Sequence, residues 1–181
     1  MRLLIKKFLS QVRSLRQNED GNPTVEFVIV FPFIVTLFFT AFEFGLLMTR
    51  HVMLERAVDL TVRDLRLGHF IAPTQDDLRR VICNRAGMIP KCMDSLLIEL
   101  RPVSTVTWTP LGSDTTCKNR NEEIQPVVSL NPGISNEMVL VRVCAVFEPF
   151  FPSTTLGMKL SRDELGGYAL VSSSAFVNEP S

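Results

Sequence analysis

Two acids stand in an otherwise uncharged apolar stretch, and they are the residues whose placement most constrains the chemistry. From Val28 to Met48 the only charged side chain is Glu43, and Glu26 sits in the first turn of the same run. A carboxylate at the centre of a bilayer-spanning helix costs roughly 2.5–3.5 kcal/mol, less toward the interface. An acid kept there points to a role in charge pairing. Glu43, near the far end of the run, has two readings: snorkelling to headgroups or water, or a specific role at the end of the helix. The four cysteines, Cys83, Cys92, Cys117 and Cys144, all follow the run. An even count outside the cytoplasm predicts two disulfides, with three connectivities open. The expected pairing is Cys83–Cys92, closing a short loop, and Cys117–Cys144, pinning a long loop to a strand.

Other candidate groups lack the spacing that catalysis needs. There is no C-x-x-C, and His51 and His69 are remote from the cysteines, so no metal is expected. Both histidines read as exposed or capping groups. Asp76-Asp77 and Glu122-Glu123 suit a helix start and a solvated loop. Ser172 to Ser174 lacks a G-x-S-x-G setting, and no glycine-rich phosphate loop occurs. The chain is therefore expected to be no enzyme and to need no cofactor.

Elements follow from charge and periodicity. The 181 residues carry no net charge, which gives no support for nucleic-acid binding. The balance is nevertheless split: five basic and two acidic residues in 1–21 give +3, and 14 basic and 17 acidic residues in the rest give −3. Basic residues ahead of the first apolar segment stay cytoplasmic, so the N-terminus is predicted inside and the domain outside. Residues 1–21 form a basic cytoplasmic leader with an apolar stripe suited to the inner membrane face. Residues 25–48 span about 36 Å as a helix, enough to cross a hydrocarbon core of about 30 Å. Pro32 inside it predicts a kink. From Thr49 to Leu67 no Pro or Gly interrupts, and Leu54, Val58, Thr61 or Val62, and Leu65 recur at helical spacing. The helix is thus predicted over 22–67, with Gly68 as C-cap and its second half packed on a domain at 68–181.

Within that domain, Thr74 caps a helix that Gly87 ends, and Pro90-Lys91-Cys92 follows as a loop. Alternation predicts strands at 95–101, 105–108, Met138–Phe147 and Tyr168–Val177, with loop from 110 to 137. The fold class is α+β: a long N-terminal transmembrane and amphipathic helix, then a small disulfide-bearing domain with an antiparallel sheet. The run Phe147-Glu148-Pro149-Phe150-Phe151-Pro152 is apolar and proline-broken. It is either buried under the sheet or exposed for docking another subunit or the outer leaflet.

The stretch Gly21-Asn22-Pro23-Thr24-Val25-Glu26-Phe27 resembles the processing site of type IVb prepilins. The chain as a whole resembles the TadE/TadG-like minor pseudopilins of tight-adherence (Tad, or Flp) pili, with a pilin-like fold. Gly21, Glu26, Phe27, Pro32, Glu43-Phe44-Gly45 and Glu55-Arg56-Ala57 carry the likeness, over about residues 15–67. In that family the cut falls after the glycine and the acid is the fifth mature residue. Counting from Asn22, Glu26 is the fifth; Pro23 departs from the pattern but suits a first helical turn.

The resemblance implies processing at Gly21 and Asn22 by a prepilin peptidase. It also implies assembly contacts at Glu26 and Phe27, and a functional outer helix end at Glu43 and Gly45. The implied partners are other pseudopilins, the major pilin and the inner-membrane Tad assembly platform, with the chain priming or capping the pilus. The implied location is the bacterial inner membrane, the domain periplasmic or carried into the fibre. Physically, a new α-amine at Asn22 gives another subunit's Glu26 a partner. Such pairing in a low-dielectric bundle offsets desolvation and sets register. The alternative is an uncut, signal-anchored periplasmic interaction module unrelated to pili.

Overall fold

A computed structural model describes residues 23–70, 72–107, 116–119, 126, 128–151 and 167–179. The leader, Gly21, Asn22, Trp108, Glu122-Glu123 and Pro152 lie outside the described residues. Elements follow in the order α1 (Pro23–Arg66), α2 (Gln75–Ala86), α3 (Cys92–Ser95), β1 (Leu96–Val103), β2 (Met138–Phe147) and β3 (Tyr168–Val177). The chain divides into two compact units, Met1–Phe39 and Thr40–Ser181.

In the first unit, Pro23 opens α1, where its fixed φ and missing N–H cost nothing. Pro32 lies inside the helix, which is assigned without a break from Pro23 to Arg66. Thr36 Oγ1 donates to the Pro32 carbonyl at 2.7 Å. Phe27, Phe31, Phe33, Leu37 and Phe38 are exposed. Among the described residues, α1 is the one helix long and apolar enough to cross a membrane, and none of its most apolar window is buried in the chain. A core helix of a soluble domain would be mostly buried, so this exposure matches a span that lipid covers.

In the second unit, α1 turns amphipathic. Glu43, Leu47, Leu54, Ala57, Val58, Thr61, Val62 and Leu65 are its buried residues, a stripe at three-to-four spacing. The helix ends at Gly68, whose φ is 71°. Gly68 N–H donates to Leu65 O and His69 N–H to Asp64 O, each at 3.1 Å, the two bonds of a Schellman cap.

The sheet has the order β1-β2-β3, antiparallel throughout. Register aligns one face across the strands: Leu96 with Ala145 and Leu170, Ile98 with Val143 and Ser172, Leu100 with Val141. These apolar residues share one core with Leu47, Leu54, Val58, Val62 and Leu65 of α1 and with Leu78, Ile82 and Ala86 of α2. Burying each large aliphatic side chain contributes roughly 1.5–3 kcal/mol, which places the main packing energy on this face.

Helix α2 begins with a capping box. Thr74 Oγ1 accepts from Asp77 N–H at 3.2 Å, and Asp77 Oδ2 accepts from Thr74 N–H at 3.2 Å and from its hydroxyl at 2.6 Å. Gly87 closes the helix at a φ of 57°. Gln75 Nε2 then donates to Ile98 O, and Arg79 Nε to Leu96 O at 3.0 Å, so α2 covers carbonyls on the outer edge of β1. Cysteines are joined as Cys83–Cys92 and Cys117–Cys144.

Two local features differ from the sequence reading. The segment predicted as a strand at 105–108 is a turn over Thr105–Thr107. Ser104 Oγ accepts from the N–H groups of Val106 and Thr107, both at 3.3 Å, and these side-chain bonds draw the backbone out of the ladder. The Cys92 segment, expected as loop, forms the four-residue α3 after Lys91 takes a left-handed φ of 46°.

A half-buried ion pair ties the two helices. Arg85 Nη2 lies 2.5 Å from Asp64 Oδ2, and Arg85 Nη1 donates to Thr61 Oγ1 at 3.1 Å. The hydrogen bond from Arg85 holds the Asp64 carboxyl below the ordinary carboxylate range, against the opposing effect of burial and with His69 adding. Bonds from the Thr74 hydroxyl and N–H do the same for Asp77. Both folded-state values lie below the unfolded ones. Their contributions are therefore complete above about pH 4–5 and vanish as pH falls through the folded values. Unfolding midpoints followed by circular dichroism are expected to be level from neutral pH to about 5 and to fall in more acid solution. Asp64→Asn should flatten part of that fall; an unchanged acid limb would assign it to other carboxylates.

Candidate functional site

The sequence-predicted site residues do not converge on one place. Gly21 and Asn22 lie outside the described residues. Glu26 occupies the first turn of α1, exposed, where its charge faces the positive end of the helix dipole. Phe27 is 60% exposed and stacks on Phe31 with ring centroids 4.9 Å apart. Both rings of this pair are exposed.

Glu43 has a different setting. Its relative exposure is 2%, which rules out the snorkelling reading within this structure. The carboxylate faces the end of β2 from α1. Oε1 accepts from the backbone N–H of Phe150 at 3.0 Å and Oε2 from that of Phe151 at 2.9 Å. These are charge-assisted bonds with both acceptor oxygens engaged, the stronger class of protein hydrogen bond. The clasp holds the chain leaving β2 against the helix.

Arg50, two turns further along α1, completes the arrangement. Its guanidinium carbon lies 4.8 Å from the centroid of the Phe147 ring. Stacking of this kind is worth about 0.5–2 kcal/mol, more when desolvated. Burial lowers the Arg50 pKa from the ordinary arginine value, and the charge of Glu43 opposes that effect. Phe147 in turn meets Tyr168 edge to face at 6.1 Å. Phe151 meets Phe42 at 6.4 Å and Phe150 at 5.5 Å, both edge on.

Gly45 sits beside this cluster on α1, and among the described residues no atom lies within 4 Å of where a Cβ would project. Its carbonyl accepts from Thr49 Oγ1 at 2.8 Å. The glycine therefore leaves an open place on the helix surface among the described residues. Cys83 and Cys92 bind α2 to α3 with Cα atoms 5.7 Å apart, and Cys117 and Cys144 join the loop to the middle of β2 at 5.3 Å.

Sequence reasoning singled out Glu43 and the Phe147–Pro152 run separately and missed that they bind each other. It also missed Arg50 as their neighbour. The one available signal was the spacing of Glu43 and Arg50, seven residues apart and so on one helix face. Nothing in the sequence identifies backbone N–H groups 107 and 108 residues away as the partners of Glu43.

Comparison with known proteins bears on the helix alone. Residues 24–63 match the family model described as TadE-like protein. The match covers Glu26, Phe27, Pro32, Glu43, Gly45 and the Glu55-Arg56-Ala57 segment, so the likeness drawn from those residues is shown over this part of the chain. No curated protein and no solved structure matches the chain significantly.

Proposed function

From a TadE-like helix that is long and apolar enough to cross a membrane, we propose that this chain is a minor pseudopilin of a tight-adherence, type IVb pilus. It is inserted with its N-terminus in the cytoplasm and its disulfide-bearing domain in the periplasm of a bacterial inner membrane. A prepilin peptidase cuts it after Gly21. The product primes or caps pilus assembly through contacts with other pseudopilins, the major pilin and the inner-membrane platform. Its role is structural rather than enzymatic, and it is an adhesion component by way of the fibre.

The single observation that carries this reading is the family match beginning at residue 24, directly after the Gly21-Asn22-Pro23 sequence, with Glu26 inside it. The exposed, uncovered first unit of α1 supports a helix that finishes its packing in lipid or against other subunits. Charge asymmetry supports the orientation.

N-terminal sequencing of the full chain purified from membranes tests the processing step. A mature chain beginning at Asn22 is expected. A chain retaining Met1 would favour the uncut interaction module instead. Glu26→Val tests assembly. Removing one partner of a buried pair costs about 3–5 kcal/mol, or about two or more tenfold steps in an association equilibrium. Insertion is expected to persist while surface pili are lost, as scored by electron microscopy. Normal piliation would remove the pairing role from Glu26.

A further inference from the structure

We propose that the Phe150–Phe151 turn is a lipid-binding foot, held by Glu43 so that its rings enter the membrane leaflet beside the domain-proximal end of the span. It rests on the reading of α1 as a membrane span and is independent of any role in a pilus.

Depth is the first ground. Phe151 packs edge on against Phe42. Phe42 belongs to the apolar run that ends at Met48, six residues or about 9 Å along the helix. A loop in contact with Phe42 therefore sits at the level of the bilayer, inside its headgroup boundary. The apolar side chains there are open: Phe150 is 64% exposed, and Phe42, Phe44 and Met48 are 47%, 49% and 41% exposed.

Backbone chemistry is the second ground. Lipid chains accept no hydrogen bonds, so any segment immersed in them must have its N–H groups satisfied within the protein. Pro149 and Pro152 have no N–H by their covalent structure. The two N–H groups between them, those of Phe150 and Phe151, both go to the Glu43 carboxylate. From 149 to 152 no backbone donor is left over. The carboxylate itself is withdrawn from the surface, at 2% exposure. An acid at membrane depth is thus covered by the same turn whose donors it satisfies. A groove on another protein would not require a donor-free backbone; an apolar leaflet does. Aromatic rings at the boundary of the bilayer supply the remaining fit.

The test uses the full chain reconstituted in phosphatidylcholine vesicles. Trp108, the one tryptophan, is replaced by Phe, and Phe150→Trp places a reporter in the foot. Val171→Trp, on the exposed side of β3, serves as the control. In vesicles containing chain-brominated phosphatidylcholine, the Phe150→Trp reporter is expected to lose most of its fluorescence and the control to keep it. Adding Glu43→Gln, whose amide oxygen replaces only one carboxylate acceptor, is expected to weaken the quenching. Equal quenching with and without Glu43→Gln would overturn the assignment of Glu43 as the clasp. An unquenched, red-shifted reporter would place the foot in water and overturn the proposal. An unquenched reporter whose emission moves to the blue as protein density rises would overturn it in favour of contact with a second copy. Failure of the chain to float with the vesicles would remove the span and the foot together.

Discussion

Replacing Glu43 by leucine is expected to destabilise the domain by about 3–5 kcal/mol. The substitution places an apolar side chain of similar size at the position, so lost packing is a small part of the effect. What is lost is the acceptor for two backbone donors, Phe150 N–H and Phe151 N–H, at 3.0 and 2.9 Å. Each donor left unsatisfied costs about 1–3 kcal/mol. Arg50 also loses a neighbouring negative charge while staying half buried over Phe147. Leucine is as good a helix former as glutamate, so far-ultraviolet circular dichroism should show α1 intact. The loss should appear instead in the denaturant midpoint of the full chain in micelles. Glu43→Gln keeps one acceptor oxygen, and about half the effect is expected. A midpoint unchanged in Glu43→Leu would mean that water or lipid headgroups take over the two donors, and the clasp would have no energetic meaning.

Removing the Cys117–Cys144 disulfide is the second large change. The bond joins residues 27 apart in sequence and closes the longer of the two loops. Chain entropy assigns such a loop about 3.6 kcal/mol, against about 2.7 kcal/mol for the Cys83–Cys92 loop, whose ends are nine residues apart. Cys117→Ser with Cys144→Ala avoids burying a hydroxyl at Cys144, which has no exposed surface. The double variant is expected to lower Tm by on the order of 10 °C and the Cys83–Cys92 double variant by less. Calorimetry checks the order. The reverse order would show that Cys83–Cys92 acts through the native packing of α2 and α3 rather than through the unfolded chain.

Much of the scaffold was legible because its determinants are local. Strand bounds at Met138–Phe147 and Tyr168–Val177 follow from period-two alternation, which one buried face imposes on a sheet. The end of α1 at Gly68 and the start of α2 at Thr74 follow from caps that a few neighbouring residues form among themselves. The turn at Thr105 was not legible, since Ser104 competes for N–H groups that alternation alone would give to a ladder. Helix α3 was hidden by its length, because four residues carry no period. The Asp64–Arg85 pair was hidden because it depends on how α2 packs against α1.

Sequence by itself determined the apolar span, its two acids, the charge asymmetry around it and the alternating strands. All of these are written in composition or short-range spacing, and the family likeness over 24–63 rests on the same segment. Tertiary structure alone decided what Glu43 does. A carboxylate near the end of an apolar helix is compatible with water, lipid headgroups or protein as its partner, and the free energies of these choices differ only through what is brought near it. Folding brings the N–H groups of Phe150 and Phe151 there from more than a hundred residues away. Backbone donors have no side-chain signature, so no pattern in the sequence could have named them.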